Sequence, residues 1–427
     1  MRNLRDVSWQ NIFSYLGISR GHVKDGVVLA SARIIFIFLQ MFILKISVHY
    51  LSNFELGIYY FLSTISYSLN ALIFVPLDYY QQARIYPLLR AKLSLKSLLV
   101  LNVTVFKWIL SISAVVVVVT SFLDASKAFN LLIAAFFSFV LYGTTALRSL
   151  VTNLEHKQTA AILMVIEGIL RVLFIIIFFR IFPEKGATLI GANAIALLCS
   201  LMLLLFAARR LNIFYDGPVT PIKTREVAVF GWPLAISTCL YWIQTQGYRL
   251  ILVPLGLTEL VGIYATVSGV GASGMTAVSS VYSGLFAPEL YKSSGASLSV
   301  FIKNGLLLIV SILLVSICFS GFFVTLLTKP EFVKYSLLIL FGVVAEGCTL
   351  FGGGLSIAFS IRNRMHALPL VSLIGMISMG LILFLLYLLG ILNIWTIGLP
   401  VVLSQVISVV CLRVLLDRNK VEVQSAT

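Results

Sequence analysis

Apolar runs of 18 or more residues recur from one end of this chain to the other. A stretch of that length crosses the hydrocarbon of a bilayer as one α-helix. Within lipid a helix also satisfies its own backbone hydrogen bonds, which an irregular segment cannot do. A transmembrane barrel would show short alternating segments instead. Charged residues make up 11% of the 427 positions and mean hydropathy is +1.04, whereas a soluble domain carries about 25% charge. The chain therefore reads as an all-α polytopic membrane protein. Twelve spans fit the pattern, the first at 27–48 and the last at 393–415. No connection between them is long enough to hold a soluble catalytic domain, so no catalytic residues are assigned.

Charge predicts the orientation. Of the 31 Lys and Arg, 21 fall on the N-terminal segment, the connections after even-numbered spans and the C-terminal tail. Five fall on the opposite side and five inside spans. By the positive-inside rule both termini are cytoplasmic. The net charge of +15 is accounted for by that asymmetry and needs no nucleic acid. The N-terminus is polar through Asp25 and has no cleavable-signal pattern. Trp9, Ile12, Phe13 and Leu16 fall at i, i+3, i+4 and i+7. A short amphipathic helix on the inner surface and a frayed tail fit that spacing equally. Cys199, Cys239, Cys318, Cys348 and Cys411 lie inside spans without metal-ligand spacing, the pattern of buried reduced thiols. No metal site and no cofactor motif is found. Gly352-Gly353-Gly354 lacks the Lys-Ser/Thr of a phosphate-binding loop.

One short motif occurs twice. "LSNFELGIY" (51–59) and "GLTELVGIY" (256–264) place Gly57 and Gly262 205 positions apart, about half the chain. Each opens an even-numbered span after an outer turn. Tyr86 and Tyr291 answer each other at the same offset. The segments 152–161 and 359–368 hold equivalent places after the fourth and tenth spans. Six spans return the chain to its starting side, so a parallel six-plus-six repeat follows. It predicts an N-terminal bundle over 1–208, a C-terminal bundle over 209–427, and a cleft between them on a pseudo-twofold axis along the membrane normal.

Polar residues inside a membrane are costly, so their positions inform. The seventh span carries Ser237, Tyr241, Gln244 and Tyr248 at i, i+4, i+7 and i+11, with Thr238, Thr245 and Arg249 beside them. The second carries Tyr59, Ser63, Tyr67 and Asn70. For the second, helix–helix adhesion and cavity lining are equally good readings; for the seventh, the arginine favours a cavity. Five cations lie within spans: Arg33, Lys45, Lys107, Arg171 and Arg249. Glu167 and Arg171, four apart, are expected to form a structural ion pair. Arg33, Lys45, Lys107 and Arg249 then face a single further acid, Glu346. That surplus predicts a cationic cavity for an anion, with Gln244, Tyr241 and Tyr248 on its wall. Lys45 and Lys107 also fit lysines that reach the interface along their stems. Lys45 and Arg249 precede Gly57 and Gly262 by 12 and 13 residues, which makes them near-equivalents. Glu346 fits a proton carrier or a protonated structural acid.

The twelve spans, the repeat, the "LSxxExGIY" outer turn and the basic inner connections resemble the bacterial polysaccharide transporters. These are the O-antigen flippases of the Wzx type, in the superfamily that also holds MATE exporters and lipid II flippases. The resemblance covers nearly the whole chain. It implies translocation of an undecaprenyl-diphosphate-linked oligosaccharide across the bacterial inner membrane by alternating access, driven by a proton or sodium gradient. The membrane lipid and polysaccharide polymerase machinery are the implied partners. Family members often carry an Asp-Arg pair late in the seventh span. Here that pair reads Tyr248-Arg249, so the arginine carries over and the acid does not. A MATE-like exporter of small molecules and a membrane-embedded glycan polymerase or ligase are the alternatives. The first calls for an acidic cavity, the second for a large outer loop.

Overall fold

The computed structural model describes residues 20–425 apart from 155, 215–216, 220–221, 294 and 362–366. The segment holding Trp9, Ile12, Phe13 and Leu16 lies outside the described residues. Twelve helices follow in order: α1 Arg20–Tyr50, α2 Asn53–Arg90, α3 Lys96–Leu123, α4 Ala125–Asn153, α5 Lys157–Ile181 and α6 Gly186–Arg210. The second six are α7 Thr224–Leu252, α8 Thr258–Lys292, α9 Leu298–Leu327, α10 Pro330–Ile361, α11 Ala367–Leu388 and α12 Leu399–Ser425. Among the described residues there is no strand. Eleven of these helices are long and apolar enough to cross a membrane. The other, α3, is 28 residues long.

The second six helices repeat the packing of the first. α1 lies on α5 as α7 lies on α11, and α3 on α4 as α9 on α10. α4 lies on α6 as α10 on α12, and α5 on α6 as α11 on α12. The register also repeats residue for residue. Ser66 Oγ donates to the Ala134 carbonyl at 2.9 Å. At the equivalent crossing, a Cβ added to Gly271 would strike the carbonyl oxygen of Ile339. Positions 66 and 271, and 134 and 339, are both 205 apart. The side chains of Tyr86 and Tyr291 lie outside the described residues.

The turn between α1 and α2, on the face that the charge asymmetry predicts to be the outer one, explains its own sequence. Ser52 caps α2 by accepting from Glu55 N at 3.2 Å, the usual role of a serine before a helix. Glu55 turns away and accepts from Gly186 N at 2.8 Å, so a carboxylate caps the positive end of α6. Asn53 Nδ2 crosses to Glu259 Oε1 at 3.3 Å. Gly57 and Gly262 then let α2 and α8 cross backbone to backbone.

This crossing closes the outer face. The largest buried apolar cluster joins Val48, Leu51, Leu56, Ile175, Phe179 and Leu189 to Tyr248, Val261, Val267, Leu338 and Ile339. All the former sit at the outer ends of their helices. Toward the inner ends of the first six helices, Ile85, Leu88, Leu95, Leu147 and Ile213 form a cluster of their own. The two sets of six are therefore joined at the outer face and part toward the inner one. One inner flank is still in contact. α2 contains a π-helical turn at Asn70–Phe74 just before Pro76. A proline lacks the N–H that continues an α-helix, and a wider turn absorbs the missing bond. Beyond it Pro76 lies against Gly231 of α7, Tyr80 against Phe230, and Arg84 pairs with Glu226 at 3.5 Å. The opposite flank, α1 beside α8, is sparsely packed.

Candidate functional site

The polar stripe of α7 is shared between two cavities. One, of about 240 Å³, is lined by Arg249, Thr245, Trp242, Tyr264, Ser268 and Glu346, among others. The other, of about 280 Å³, lies among α7, α10, α11 and α12 and is lined by Ser237, Thr238, Gln244, Ser356, Ser372 and Ser408, with no charged side chain among the described residues. Tyr241, Thr349 and Gln405 line both. Tyr241 Oη and Thr349 Oγ1 are 2.7 Å apart, so this bonded pair forms the partition.

Arg249 is the central cation. Its Nε donates to Tyr248 Oη at 2.9 Å, and Nη1 reaches Thr64 Oγ1 of α2 at 3.4 Å. The guanidinium lies 4.9 Å from the Tyr60 ring centre and 5.4 Å from that of Tyr248, both within cation–π range. Among the described residues no carboxylate pairs with it. A guanidinium has five N–H donors, and these two contacts leave three. α7 is thus tied to α2 at Thr64, whose carbonyl also accepts from Trp242 Nε1 at 3.3 Å. Glu346 lines the same cavity from α10 without an ion pair to Arg249.

The other expected site residues fall in different places. Tyr241 lines both cavities. Gln244 is buried and donates to Ser408 at 3.0 Å and Ser404 at 3.3 Å, while its Oε1 has no partner. Tyr248 is 2% exposed and packs edge-on against Tyr264; it stands behind Arg249 as its support. Arg33 lies on the same face of α1 as Leu44 and Val48, which meet the shared core, and is exposed at the inner end of that face. Lys45 is exposed and lines a separate outer pocket with His49 and Lys329. Lys107 is exposed on α3, which packs on α4. The four cations therefore do not converge on one cavity. Arg249 alone lines the one that holds Glu346, because the helix faces carrying Lys45 and Lys107 turn away from the cleft.

Glu167 and Arg171 pair at 2.7 Å as their spacing predicts. Glu167 also pairs with Arg148 of α4, and the two half-buried arginines form a triad around the buried carboxylate. Sequence reasoning missed Arg148. It stands about one turn from the end of α4 and was grouped with the inner connection, but its side chain runs back into the bundle. The cradle of Tyr60 and Thr64 was also missed. The polar stripe of the second span was the available signal, displaced by one residue.

No family model matches this sequence, and no curated protein does. Solved structures do. The lipid II flippase MurJ in an inward closed conformation aligns with a TM-score of 0.65 at 12% identity, over 91% of this chain and 86% of its own. A multidrug resistance MATE family transporter of the MOP superfamily, outward-facing, aligns at 0.59 and 12%, over 95% and 97%. The fold is that of the MOP superfamily transporters. A MOP superfamily transporter from Pyrococcus furiosus, described by the reverse polarity of its binding pocket, aligns at 0.50 and 12%, over 93% and 96%. The Arg249 cavity is lined by residues of α7, α8, α10 and α12, and Arg249 itself reaches Tyr60 and Thr64 of α2, where the second six helices meet the first.

Proposed function

We propose that this chain is a flippase of the Wzx type. It carries an undecaprenyl-diphosphate-linked oligosaccharide across the bacterial inner membrane by alternating access, with both termini cytoplasmic. The observation that carries this reading is Arg249: a cation without a carboxylate among the described residues, held on α7, tied to α2 of the first six helices, and with donors to spare beside a cavity of the second six. A diphosphate supplies the missing charge, and guanidinium grips phosphate oxygens bidentately. Arg33 lies 11 residues before Leu44, the position 205 before Arg249, and so about 16 Å nearer the inner side at 1.5 Å per helical residue. It gives an incoming diphosphate a first contact and Arg249 a second. The uncharged cavity beside Tyr241, with its hydroxyls and amides, suits the neutral sugars. The sparse flank between α1 and α8 gives the polyprenyl tail a way to remain in lipid.

In this reading residues 1–208 and 209–427 move as two bodies. The outer crossing of α2 and α8 opens as the inner side closes. Glu346 lies in the same cavity and takes the coupling proton or sodium ion, and the released glycan passes to polymerase machinery. Glu346 also supports a second reading, an exporter of organic cations, for which Arg249 would be a hindrance. Deleting the gene separates the two. The flippase reading expects one surface glycan to be lost while its lipid-linked repeat units accumulate inside. Normal surface glycan with altered drug sensitivity would overturn it in favour of the exporter.

A further inference from the structure

The outer pocket that holds Lys45 is unlike the central ones. It has a volume of about 370 Å³ and is lined by Lys45, His49, Lys329 and Thr328 against Phe42, Ile46, Tyr50, Ile176 and Pro330. Among the described residues its only charged side chains are two lysines, and no carboxylate lines it. Lys45 has no polar partner among the described residues. Lys329 Nζ spends one donor on the Leu51 carbonyl at 2.8 Å, and an ammonium has three. Lys45 and His49 are one turn apart on α1, and Lys329 lies between α9 and α10. All three are therefore at helix ends, the depth at which lipid headgroups lie, with an apolar wall below them.

The pocket also straddles the seam. α1 and α5 supply one wall and Thr328–Pro330 the other, and the two are in contact because the outer face is closed. We propose that Lys45, His49 and Lys329 bind the phosphate of an outer-leaflet lipid headgroup across this seam, so that the bound lipid favours the outer-closed state. The phosphate draws the two lysines together, as charge-assisted hydrogen bonds do. Parting the halves at the outer face would separate them and lose the site. A lysine that merely snorkels would hold no particular lipid and would bind none saturably.

The test uses the full chain in phosphatidylcholine nanodiscs, with binding of labelled phosphatidylglycerol measured as its share of the bilayer rises. Saturable binding is expected. It should weaken about tenfold in Lys45→Gln, the loss of one charge-assisted contact. Lys45 makes no contact whose loss would unfold the chain. Lys329→Gln should weaken binding further, and Lys329→Arg should retain it. Competition then identifies the source of the phosphate. Displacement by unlabelled phosphatidylglycerol alone marks a resident bilayer lipid, and displacement by a polyprenyl diphosphate as well marks the carrier; either supports a phosphate site. Non-saturable binding, or equal binding by the wild type and Lys45→Gln, overturns the proposal. Arg249 is untouched in these variants, so failure here leaves the transport reading standing.

Discussion

Gly57 and Gly262 lie against each other where α2 crosses α8. A Cβ on Gly57 would strike the Thr258 carbonyl oxygen, and one on Gly262 would strike the Asn53 carbonyl oxygen and approach Gly57 N at 2.8 Å. The nearest obstacles are backbone, which cannot turn aside as a side chain can, so neither position has room for a side chain. Gly57→Ala should therefore loosen the closed outer face, at a cost of about 1–3 kcal/mol, typical of overpacking. In a cysteine-free background, Thr64→Cys should be labelled several-fold faster by an impermeant maleimide when Gly57→Ala is added. Unchanged labelling would show that the crossing is not the outer closure.

The central cavity supplies the second prediction. Arg249→Gln should lose about tenfold to a hundredfold in transport, the value of one charge-assisted phosphate contact, while the protein still accumulates. Arg249→Lys keeps the charge without the fork and should retain part of the activity. Arg249 and Glu346 form no ion pair, so Glu346→Gln should not rescue Arg249→Gln. Glycan display read beside a membrane immunoblot measures both. Full display by Arg249→Gln at normal abundance would end the diphosphate role.

Glu167 behaves differently. It is 2% exposed and accepts from both Arg148 and Arg171. Glu167→Gln would leave two arginines facing each other inside the bundle. Breaking a buried ion pair from one side costs about 3–5 kcal/mol. Abundance and thermal stability should fall together, and Arg171→Gln in the same chain should restore part of both. A stable Glu167→Gln protein with lost transport would instead give the triad a functional role.

Orientation is tested by cysteine labelling, with probes chosen from the structure. Thr258 suggests itself from the sequence as an outer-turn position, but it is 4% exposed, because its carbonyl lies beneath Gly57. Leu255, half exposed on the same turn, is the better site. Leu255→Cys should react with an impermeant reagent applied to intact cells. Val219→Cys, exposed on the connection between α6 and α7, should react only after the membrane is opened. The reverse pattern would overturn the cytoplasmic assignment of the termini.

Apolar run length determined by itself that this chain is a bundle of membrane helices, since lipid leaves the backbone few other ways to bond. The recurrence of GIY determined that the bundle is two related sets of six. A glycine demanded by a close crossing leaves a mark in the sequence, because any other residue there would clash. The pairing of Glu167 with Arg171 was legible for a similar reason: both ends lie on one helix, where spacing alone fixes the distance.

Tertiary structure decided which charges meet. Lys45 and Arg249 are near-equivalents in sequence, at 12 and 13 residues before their GIY motifs. One residue along a helix turns a side chain by about 100°. The true counterpart of Arg249 is therefore Leu44, which packs toward the shared core, while Lys45 faces the outer pocket. Arg148 joins Glu167 from another helix, and no spacing within the chain encodes that meeting. Helical periodicity tells which residues share a face. Only the packing of the helices tells what that face looks at.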